Sequence, residues 1–523
     1  MKNRFSFSSL FVVLILFYSI NITAQNNPIV SFQKISNTQG NLGNILNAND
    51  CFSNGLDSIG DINGDGVTDV IISAFGDDEM GTNVGAIYIL KLNSGGAVIS
   101  STKISKNLNG FTGNLQSGDI FGSGLASLGD INGDGNYDIA VGAEYTSDGG
   151  YMKGVVYLIT IDTSGYVLST QKISATSGGF TGVLNGPASF GCDIANIGDL
   201  NGDGVNDLAV GSHRDNDGGT ECGAIWILFM NSNGTVHHQQ KISATQGGFN
   251  ATINAGDHFG VSTEYLGDIN NDGHIELAVG SHYDDDGGSN NGAIYILSLD
   301  TGGTVFSYQK ISDSYGGFNG VLSTGGKFGV SITKIGDLNN DSVIDIAVGA
   351  YRDNTVGSLA GAFYILYLNA NGTVKSHLKV TEGYNNFTGD IDAGDLFGVS
   401  IASIGKYNDL YALLVGSRKD DDGATDAGAA YVLFIRGIIY SGVESIVVQD
   451  DFVHNNPVKD QLYIWQNIGI LNLSIFDMNG KLVKKSLVEI NENVLNISDL
   501  ASGMYIGVIE KGNYRKSFKI IKE

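Results

Sequence analysis

The sequence of 523 residues has little proline, little cysteine and few basic side chains. Only 3 Pro accompany 75 Gly. This excludes a collagen triple helix, because collagen needs a strict Gly-X-Y period with abundant proline. The 29 Lys and Arg stand against 55 Asp and Glu, which gives a net charge of −26. This imbalance argues against nucleic acids and anionic membrane surfaces as partners and favours divalent cations.

The cysteines are an odd number, Cys51, Cys192 and Cys222. At most one disulfide can form, and one thiol is then left over. Spacing alone does not show that Cys192 and Cys222 meet. Three small buried thiols are the simpler expectation, and the disulfide state stays open.

Long apolar runs are also missing, except near the N-terminus. Two basic residues precede the apolar run Leu10–Ile20, and Ala24 offers a small residue before a cut at Gln25. This order is typical of a secretory signal peptide, which we assign to residues 1–24. An uncleaved anchor is the alternative, although the run is short for a membrane span. No later segment is apolar enough to cross a membrane, so we expect an exported chain with no transmembrane span once mature.

A repeat of 69 residues dominates the rest of the sequence. Lys-Ile-Ser recurs at this step from Lys34, and Phe-Gly recurs at the same step from Phe121. Each copy has four segments of strand character separated by Gly, Asp and Asn, and none shows helical periodicity. Four-stranded units in tandem predict the blades of a β-propeller. A solenoid is the alternative, but solenoid repeats usually have about 20–45 residues.

The two ends of the repeat region predict a closed ring. A lone match to the fourth strand, Ile29–Ser36, precedes the first copy, and the sixth copy stops after its third strand, Ala429–Ile435. The N-terminal strand can therefore complete the last blade, which also removes exposed sheet edges. We predict an all-β fold, a six-bladed propeller over residues 25–442, closed by this strand.

An acidic loop lies between the first and second strands of the first five copies. Side-chain oxygens occupy positions 1, 3, 5 and 9, and a main-chain carbonyl is available at position 7. This pattern predicts calcium, which takes about six to eight oxygen ligands, and glycine at position 6 permits the sharp turn. With one ion per loop and about five Ca²⁺ in total, the predicted ligands are Asp61, Asn63, Asp65, Val67, Asp69, Asp130, Asn132, Asp134, Asn136, Asp138, Asp199, Asn201, Asp203, Val205, Asp207, Asp268, Asn270, Asp272, His274, Glu276, Asp337, Asn339, Asp341, Val343 and Asp345.

Asx turns without a metal are the alternative for these loops. The first nine positions resemble an EF-hand loop, but position 12 is apolar and the flanks have strand character. The pattern weakens in the fourth and fifth copies, where Glu276 replaces Asp and Ser342 replaces Gly. The sixth copy is shorter and has Lys406 at the first Asp position, so we predict no calcium there. In the other five, three carboxylates repel one another, and our hypothesis is that calcium offsets this and has a structural role.

In these features the chain resembles the FG-GAP repeat family, which forms the propeller of integrin alpha chains. The matching segments, in order, are Phe-Gly, Gly-Asp-Leu-Asn-Gly-Asp-Gly, Leu-Ala-Val-Gly and Gly-Ala-Ile-Tyr. Two departures are the count of six copies, where integrins have seven blades, and the loss of Pro from the Gly-Ala-Pro element, as in Gly142-Ala143-Glu144. The resemblance implies calcium loops on one face and partner binding on the other.

Two recurring sets of residues fall on that other face. The connections after the fourth strands carry Phe111, Phe180, Phe249, Phe318 and Phe387. The connections between the second and third strands are acidic, with Asp215 to Asp217, Asp284 to Asp286 and Asp420 to Asp422. These residues are either aromatic anchors beside acidic rims or aromatic plugs between blades beside solvated loops. His213, His282, His237 and His238 lack a ligand constellation, so we expect them in loops or on strand surfaces.

The repeat stops near the start of the last segment, residues 443–523. A strand at Leu462–Trp465, a turn at Asn479-Gly480 and a basic end predict a small β-sandwich with a hairpin. The segment resembles the C-terminal sorting domain of the type IX secretion pathway of Bacteroidota, with Asn455-Asn456-Pro457 where that family has Pro-Asn-Pro. This implies contact with the secretion machinery and a secreted or cell-surface location. An accessory binding sandwich is the alternative.

Three functions are open from the sequence. The leading hypothesis is a secreted or surface-displayed, calcium-binding propeller that acts as an adhesion or ligand-binding module for a glycan or matrix protein. The runner-up is an enzyme that degrades polysaccharide or lipid, because FG-GAP-like propellers accompany such enzymes. No nucleophile elbow or HExxH motif occurs and we predict no catalytic residue, although a carboxylate pair could still support hydrolysis. The third is a structural surface-layer component.

Overall fold

The computed structural model describes residues 28–407, 409–437, 452–454, 458–466, 471–478, 480–488, 491–511 and 514–523. The chain divides into two compact units between Ile439 and Tyr440. All regular secondary structure in the described ranges is β-strand, and within them no helix could cross a bilayer. The predicted signal peptide, residues 1–24, lies outside the described residues.

The larger unit begins with β1 (Ile29–Ile35). Sheet 1 contains β2 (Phe52–Gly60), β3 (Asp69–Ala74), β4 (Ala86–Leu92) and β5 (Val98–Ser105). Sheet 2 contains β6 (Phe121–Gly129), β7 (Tyr137–Ala143), β8 (Val155–Ile161) and β9 (Val167–Ile173). Sheet 3 contains β10 (Phe190–Gly198), β11 (Asp207–Ser212), β12 (Ala224–Met230) and β13 (Val236–Ser243).

The same pattern continues along the chain. Sheet 4 contains β14 (Phe259–Gly267), β15 (Ile275–Ser281), β16 (Ala293–Leu299) and β17 (Val305–Ile311). Sheet 5 contains β18 (Phe328–Gly336), β19 (Asp345–Ala350), β20 (Ala362–Leu368) and β21 (Val374–Val380). Sheet 6 contains β22 (Phe397–Tyr407), β23 (Leu410–Ser417), β24 (Ala429–Arg436) and, in the place of a fourth strand, β1.

In each sheet the strands pair antiparallel with their neighbours in chain order, and β1 pairs with β24. The second and third strands of each sheet are rich in Val, Ile, Leu and Tyr, which suit a pleated buried surface. All seven residues of β8 are buried, whereas the outer strand β5 exposes Ile99, Ser100 and Ser101. The apolar core therefore lies mainly on the middle strands of each sheet.

This core is divided among successive sheets. Six apolar clusters each contain residues of two sheets, and one of them joins sheet 6 to sheet 1. Side chains of first strands also donate hydrogen bonds to carbonyl oxygens of the next sheet. These are Ser123 to Gly191 (3.2 Å), Cys192 to Gly260 (3.3 Å), Ser262 to Gly329 (2.9 Å), Ser331 to Gly398 (3.1 Å) and Ser400 to Ser53 (2.6 Å). The unit is an all-β assembly of repeated four-stranded sheets, consistent with a β-propeller.

The recurring phenylalanines after the fourth strands are buried, with at most 5% of each side chain exposed. Each ring lies against the phenylalanine that begins the next first strand, as in Phe180 and Phe190, whose centroids are 5.0 Å apart. The same contact recurs for Phe111, Phe249, Phe318 and Phe387. They are plugs inside the core, and their interpretation as exposed anchors is wrong.

Aspartates in the connections between second and third strands form ion pairs with lysines of the fourth strands. In sheet 3, Lys241 Nζ lies 2.9 Å from Asp215 Oδ1 and 3.2 Å from Asp217 Oδ2, and Asp215 is fully buried. Every sheet repeats this ion pair with the lysine of its Lys-Ile-Ser or equivalent segment. The pairs are Lys34–Asp420, Lys103–Asp77, Lys172–Asp148, Lys241–Asp215, Lys310–Asp284 and Lys379–Asp353. In five of the six sheets the paired aspartate is buried and does not form an exposed rim, whereas Asp148 of sheet 2 is partly exposed.

The smaller unit contains two sheets. One has the order β25–β26–β29, with β25 (Phe452–His454), β26 (Gln461–Gln466) and β29 (Asn491–Asn496). The other has the order β28–β27–β30–β31, with β27 (Leu471–Asp477), β28 (Leu482–Val488), β30 (Gly503–Lys511) and β31 (Tyr514–Lys522). A buried apolar cluster includes Leu462, Ile475 and Ile509. Asn455–Pro457 and Asn479 lie outside the described residues.

Candidate metal centres

The topology separates two sets of connections. Because neighbouring strands are antiparallel, the connections from first to second strands lie at one end of each sheet. The connections from second to third strands, and from one sheet to the next, lie at the other end. The five acidic loops occupy the first set, between β2 and β3, β6 and β7, β10 and β11, β14 and β15, and β18 and β19.

The first loop is a tight turn built on side-chain oxygens. Asp61 accepts hydrogen bonds from the amides of Gly64 (2.7 Å), Asp65 (3.0 Å) and Gly66 (2.7 Å). Asn63 Oδ1 accepts from the Asp65 amide, and Asp65 Oδ1 accepts from the Val67 amide, both at 2.9 Å. These Asx turns hold the side chains at positions 1, 3 and 5 within one turn of the chain.

The other four loops repeat this geometry. The carboxylate at position 1 accepts from the amide at position 6 in each, at 2.8 Å for Gly135, 2.8 Å for Gly204, 3.0 Å for Gly273 and 2.8 Å for Ser342. The residue at position 6 has a left-handed backbone, with φ of +90° at Gly204 and +69° at Ser342. Glycine adopts this conformation at little cost, whereas serine does not.

The carboxylate at position 9 lies behind the loop and is buried. In the first loop, Asp69 accepts from the Ile62 amide (3.2 Å) and from the Leu92 amide (3.0 Å) at the end of β4. The corresponding acid accepts from the second residue of the loop in all five copies. Among the described residues, no loop brings its three carboxylates to within 4.8 Å of one another. The side chains at positions 1, 3 and 5 are thus held close together, whereas the carboxylate at position 9 is hydrogen-bonded to main-chain amides.

Burial and amide contacts shift the loop pKa values in opposite directions. Burial raises the pKa of Asp207 to about 6 and that of Asp345 to about 7. The Gly66 amide lowers the pKa of the exposed Asp61. The donors are carboxylate and amide oxygens, which fit a hard cation such as calcium. Lys375, 3.1 Å from Asp341, is the one ammonium among the described residues that pairs with a loop acid.

The sixth connection differs in shape. The strands β22 and β23 continue their pairing to Tyr407 and Leu410, which leaves only a tight turn. The ammonium of Lys406 lies 4.1 Å from the ring centre of Tyr411. The side chain at the first loop position is therefore used in a cation–π contact.

A cavity of about 1190 Å³ is lined by the first strands of all six sheets. Asp57 accepts from the Ser127 amide (2.6 Å), Asp193 accepts from the Thr263 amide (2.6 Å), and Glu264 lies 3.7 Å from Lys334 Nζ. Burial raises the pKa of these acids, to about 6 for Asp57, about 7 for Asp193 and about 8 for Glu264. Sequence analysis did not single out these acids.

At the end of the cavity away from the acidic loops lies a ring of side chains that follow the second strands. These are Phe75, Glu144, His213, His282, Tyr351 and Arg418. His213 Nδ1 lies 3.6 Å from Glu144 Oε2, and its ring centre is 5.1 Å from that of His258. The expectation that His213 lacks a ligand constellation was wrong, whereas among the described residues His282 belongs to no group of three metal-binding side chains. The signal was available, because Glu144, His213 and His282 occupy the same repeat position.

The positions of His237, His238 and the three cysteines match the simpler expectations, an exposed strand surface for the histidines and buried thiols for the cysteines. His237 and His238 are exposed on β13. Cys51, Cys192 and Cys222 are buried free thiols. Cys192 occupies the repeat position of Ser123 and, like it, contacts a carbonyl of the next sheet.

Parts of the chain match known protein families. Residues 121–159, 194–228 and 262–297 match the FG-GAP repeat. Residues 453–523 match the secretion system C-terminal sorting domain. The chain therefore carries FG-GAP repeats and a sorting domain. It is a secreted or cell-surface protein, and the sorting domain implies interaction with the type IX secretion machinery.

Integrin alpha chains are among its relatives. Integrin alpha-3 of Cricetulus griseus is 31% identical over 205 residues, which cover 39% of this chain and 17% of that protein. Integrin alpha-2 of Mus musculus is 35% identical over 170 residues, 32% of this chain and 13% of that protein. Integrin alpha-PS5 of Drosophila melanogaster is 36% identical over 160 residues, 29% of this chain and 14% of that protein. The chain thus spans less than a fifth of the length of these relatives.

One solved structure with partial likeness is PorZ, described as an essential bacterial surface component of the type-IX secretion system of Porphyromonas gingivalis. The alignment covers 87% of this chain and 58% of PorZ, at 14% identity and a TM-score of 0.34. A score this low does not define a common fold.

We predict that Ser342→Gly stabilises the larger unit by about 1 kcal/mol, because it relieves the left-handed backbone of a residue with a Cβ atom. Thermal melting of the full chain in chelator measures the change. Ser232→Gly is the control, because Ser232 is exposed in a turn without positive φ, and there glycine should leave stability unchanged or lower it. Equal effects of the two substitutions would contradict the strain at Ser342.

We predict that Glu264→Gln flattens the dependence of stability on pH. Since the folded pKa of Glu264 is raised to about 8, the folded chain holds a proton that the unfolded chain has already lost above about pH 4.3. Stability of the wild type therefore falls as the pH rises towards 8, and the slope due to this group is at most about 1.4 kcal/mol per pH unit.

Urea unfolding between pH 5 and pH 8 at constant calcium gives both slopes. Glu382→Gln is the control, because Glu382 does not line the cavity. An unchanged slope in Glu264→Gln would show that Glu264 does not carry the buried proton.

Proposed function

We propose that this carrier of FG-GAP repeats and a sorting domain is an extracellular, calcium-stabilised, six-bladed β-propeller that binds a glycan or a matrix protein. Residues 1–24 are the signal peptide, residues 25–442 the propeller, and residues 443–523 a β-sandwich that directs secretion. The sandwich is supported by the two sheets of the smaller unit and their shared apolar cluster.

Ring closure is supported by contacts between the last and first sheets. β1 completes sheet 6, with Phe32 opposite Leu433. The Ser400 hydroxyl donates to the carbonyl of Ser53 in sheet 1 at 2.6 Å. One apolar cluster joins sheets 6 and 1 in the same way as the other clusters join their sheets. In a closed ring these contacts are the same kind of interface repeated around one axis.

Calcium binding is supported by the donor set of the five loops. The oxygens at positions 1, 3, 5 and 9 and the carbonyl at position 7 would hold one ion in each loop, about five in all. Bound calcium supplies positive charge where three carboxylates lie in one short loop. The residues of the chain supply the rest, because the Asx turns already gather positions 1, 3 and 5. We assign no ion to the sixth connection, which has no comparable acids.

The observation that carries the binding proposal is the distribution of exposed apolar side chains. In the larger unit, nine of them lie in the connections at the end of the sheets away from the acidic loops. They are Ile45, Met80, Tyr151, Val183, Tyr315, Val321, Val356, Leu359 and Tyr384. No large apolar side chain is exposed in the described acidic loops. Tyrosines of this kind offer contact area at low entropic cost and suit a protein or sugar surface.

Tyr151 is the most exposed of these aromatic residues, at 74%. We expect Tyr151→Ala, alone and with Tyr315→Ala, to weaken binding of the mature protein to one class of glycan or matrix protein on an array. Tyr166→Ala is the matched control, because Tyr166 is 47% exposed in the same sheet but lies in the turn between β8 and β9, at the opposite end of these strands.

The array is incubated once with calcium and once with chelator. Binding that needs calcium and falls at least about tenfold in the Tyr151 variants supports an adhesion module; this loss corresponds to about 1.4 kcal/mol. The adhesion proposal would be contradicted if the folded wild type bound no surface of the array. It would also be contradicted if Tyr166→Ala lowered binding as much as the Tyr151 variants.

A further inference from the structure

The far end of the cavity brings together three metal-binding side chains, of which Cys192 also donates to the carbonyl of Gly260 in the next sheet. Glu144 follows β7 in sheet 2, whereas Cys192 lies in β10 and His213 follows β11 in sheet 3. One ligand atom from each lies within 4.8 Å of the other two. Within the part of the chain that the structure describes, this is the one such group of three metal-binding side chains.

Two of these atoms are buried with unused hydrogen-bonding capacity. Glu144 Oε2 and His213 Nδ1 lie 3.6 Å apart, and neither has a hydrogen-bond partner among the described residues. Their side chains are only 14% and 13% exposed, and Cys192 is 9% exposed. A buried polar atom without a partner destabilises the folded state, and a ligand that engages both atoms would offset this cost.

The guanidinium of Arg214 does not pair with Glu144. Arg214 directs its guanidinium to Glu221, with Nε 2.8 Å from Oε1. His258 also lies on Glu221, with Nε2 3.3 Å from Oε2. Glu144 therefore faces His213 and Cys192, and among the described residues no Lys or Arg lies within ion-pair distance of it.

The protonation states suit a metal ion. Burial lowers the pKa of His213 well below its usual value, so the imidazole is neutral and its lone pair is available. Burial raises the pKa of Glu144 to about 7 and also raises that of the Cys192 thiol. A bound divalent cation would favour the deprotonated form of both groups.

We propose that Glu144, Cys192 and His213 bind a zinc ion at the end of the cavity away from the calcium loops. One thiolate, one imidazole and one carboxylate are borderline-soft and hard donors that zinc accepts, whereas calcium takes oxygen ligands. Three protein ligands leave the fourth tetrahedral position open towards the cavity. Because Cys192 must lose its thiol proton, each ion that binds releases at least one proton.

The repeat supplies substitutions that should fold. Cys192→Ser copies Ser123, which occupies the same repeat position and donates to the next sheet at 3.2 Å. His213→Phe copies Phe75, which holds the same position in the first repeat. Cys222→Ser is the matched control, because Cys222 is a buried free thiol in the same connection as His213 but is not in the group.

The test uses the full chain, reduced, stripped of metal and then saturated with calcium so that the acidic loops are occupied. Cobalt(II) is added as a spectroscopic probe, and zinc is added to compete with it. We expect one cobalt ion per chain with a thiolate-to-cobalt charge-transfer band, proton release on binding, and displacement by zinc.

The band should be absent in Cys192→Ser and retained in Cys222→Ser. Zinc affinity should fall at least about 10–100-fold in His213→Phe and Glu144→Gln, since loss of a direct ligand costs no less than loss of a supporting contact. Equal melting temperatures in chelator establish that the variants fold. A wild type without the band, or a band that survives Cys192→Ser, would overturn the proposal.

Discussion

Negative charge is concentrated at both ends of the sheets, and the rest of the larger unit depends on how it is neutralised. At one end, the lysine on the fourth strand of each sheet pairs with an aspartate, which is buried in five of the six sheets, as in the 2.9 Å pair of Lys241 and Asp215. Such pairs are costly to break, because removal of either partner leaves an unpaired buried charge. At the other end, the loops hold three carboxylates each, and among the described residues only Asp341 has an ammonium partner. In our account calcium supplies the missing charge there.

In the first five sheets, the lysine ion pair and the loop carboxylate connect strands at opposite ends of the sheet. The lysine connects the fourth strand to the connection after the second strand. The ninth loop carboxylate connects the loop to the third strand, as Asp69 does through the Leu92 amide. Side chains of the first strands donate hydrogen bonds to the next sheet and line the cavity. The order of strands within each sheet therefore decides which side chains lie at each end of the cavity.

The periodicity of the sequence predicted much of this and missed a defined part. A step of 69 residues was enough to locate the four strands of each copy and the pairing partner of Ile29–Ile35. It did not reveal which side of a connection faces the neighbouring sheet. For this reason Phe180 was considered as an exposed anchor, although it is stacked on Phe190. The group around His213 was missed because Glu144 comes from the preceding repeat and Cys192 from a different strand of the same repeat.

The central claim is that calcium in the acidic loops stabilises the propeller. The most direct test is thermal melting of the full chain in calcium and in chelator at one pH. If each of about five sites is filled at 100 times its dissociation constant, each contributes about 2.7 kcal/mol, and the melting temperature should drop by on the order of 10 °C or more when calcium is removed. An identical melting temperature in the two conditions would contradict the claim and leave the loops as Asx turns without a metal.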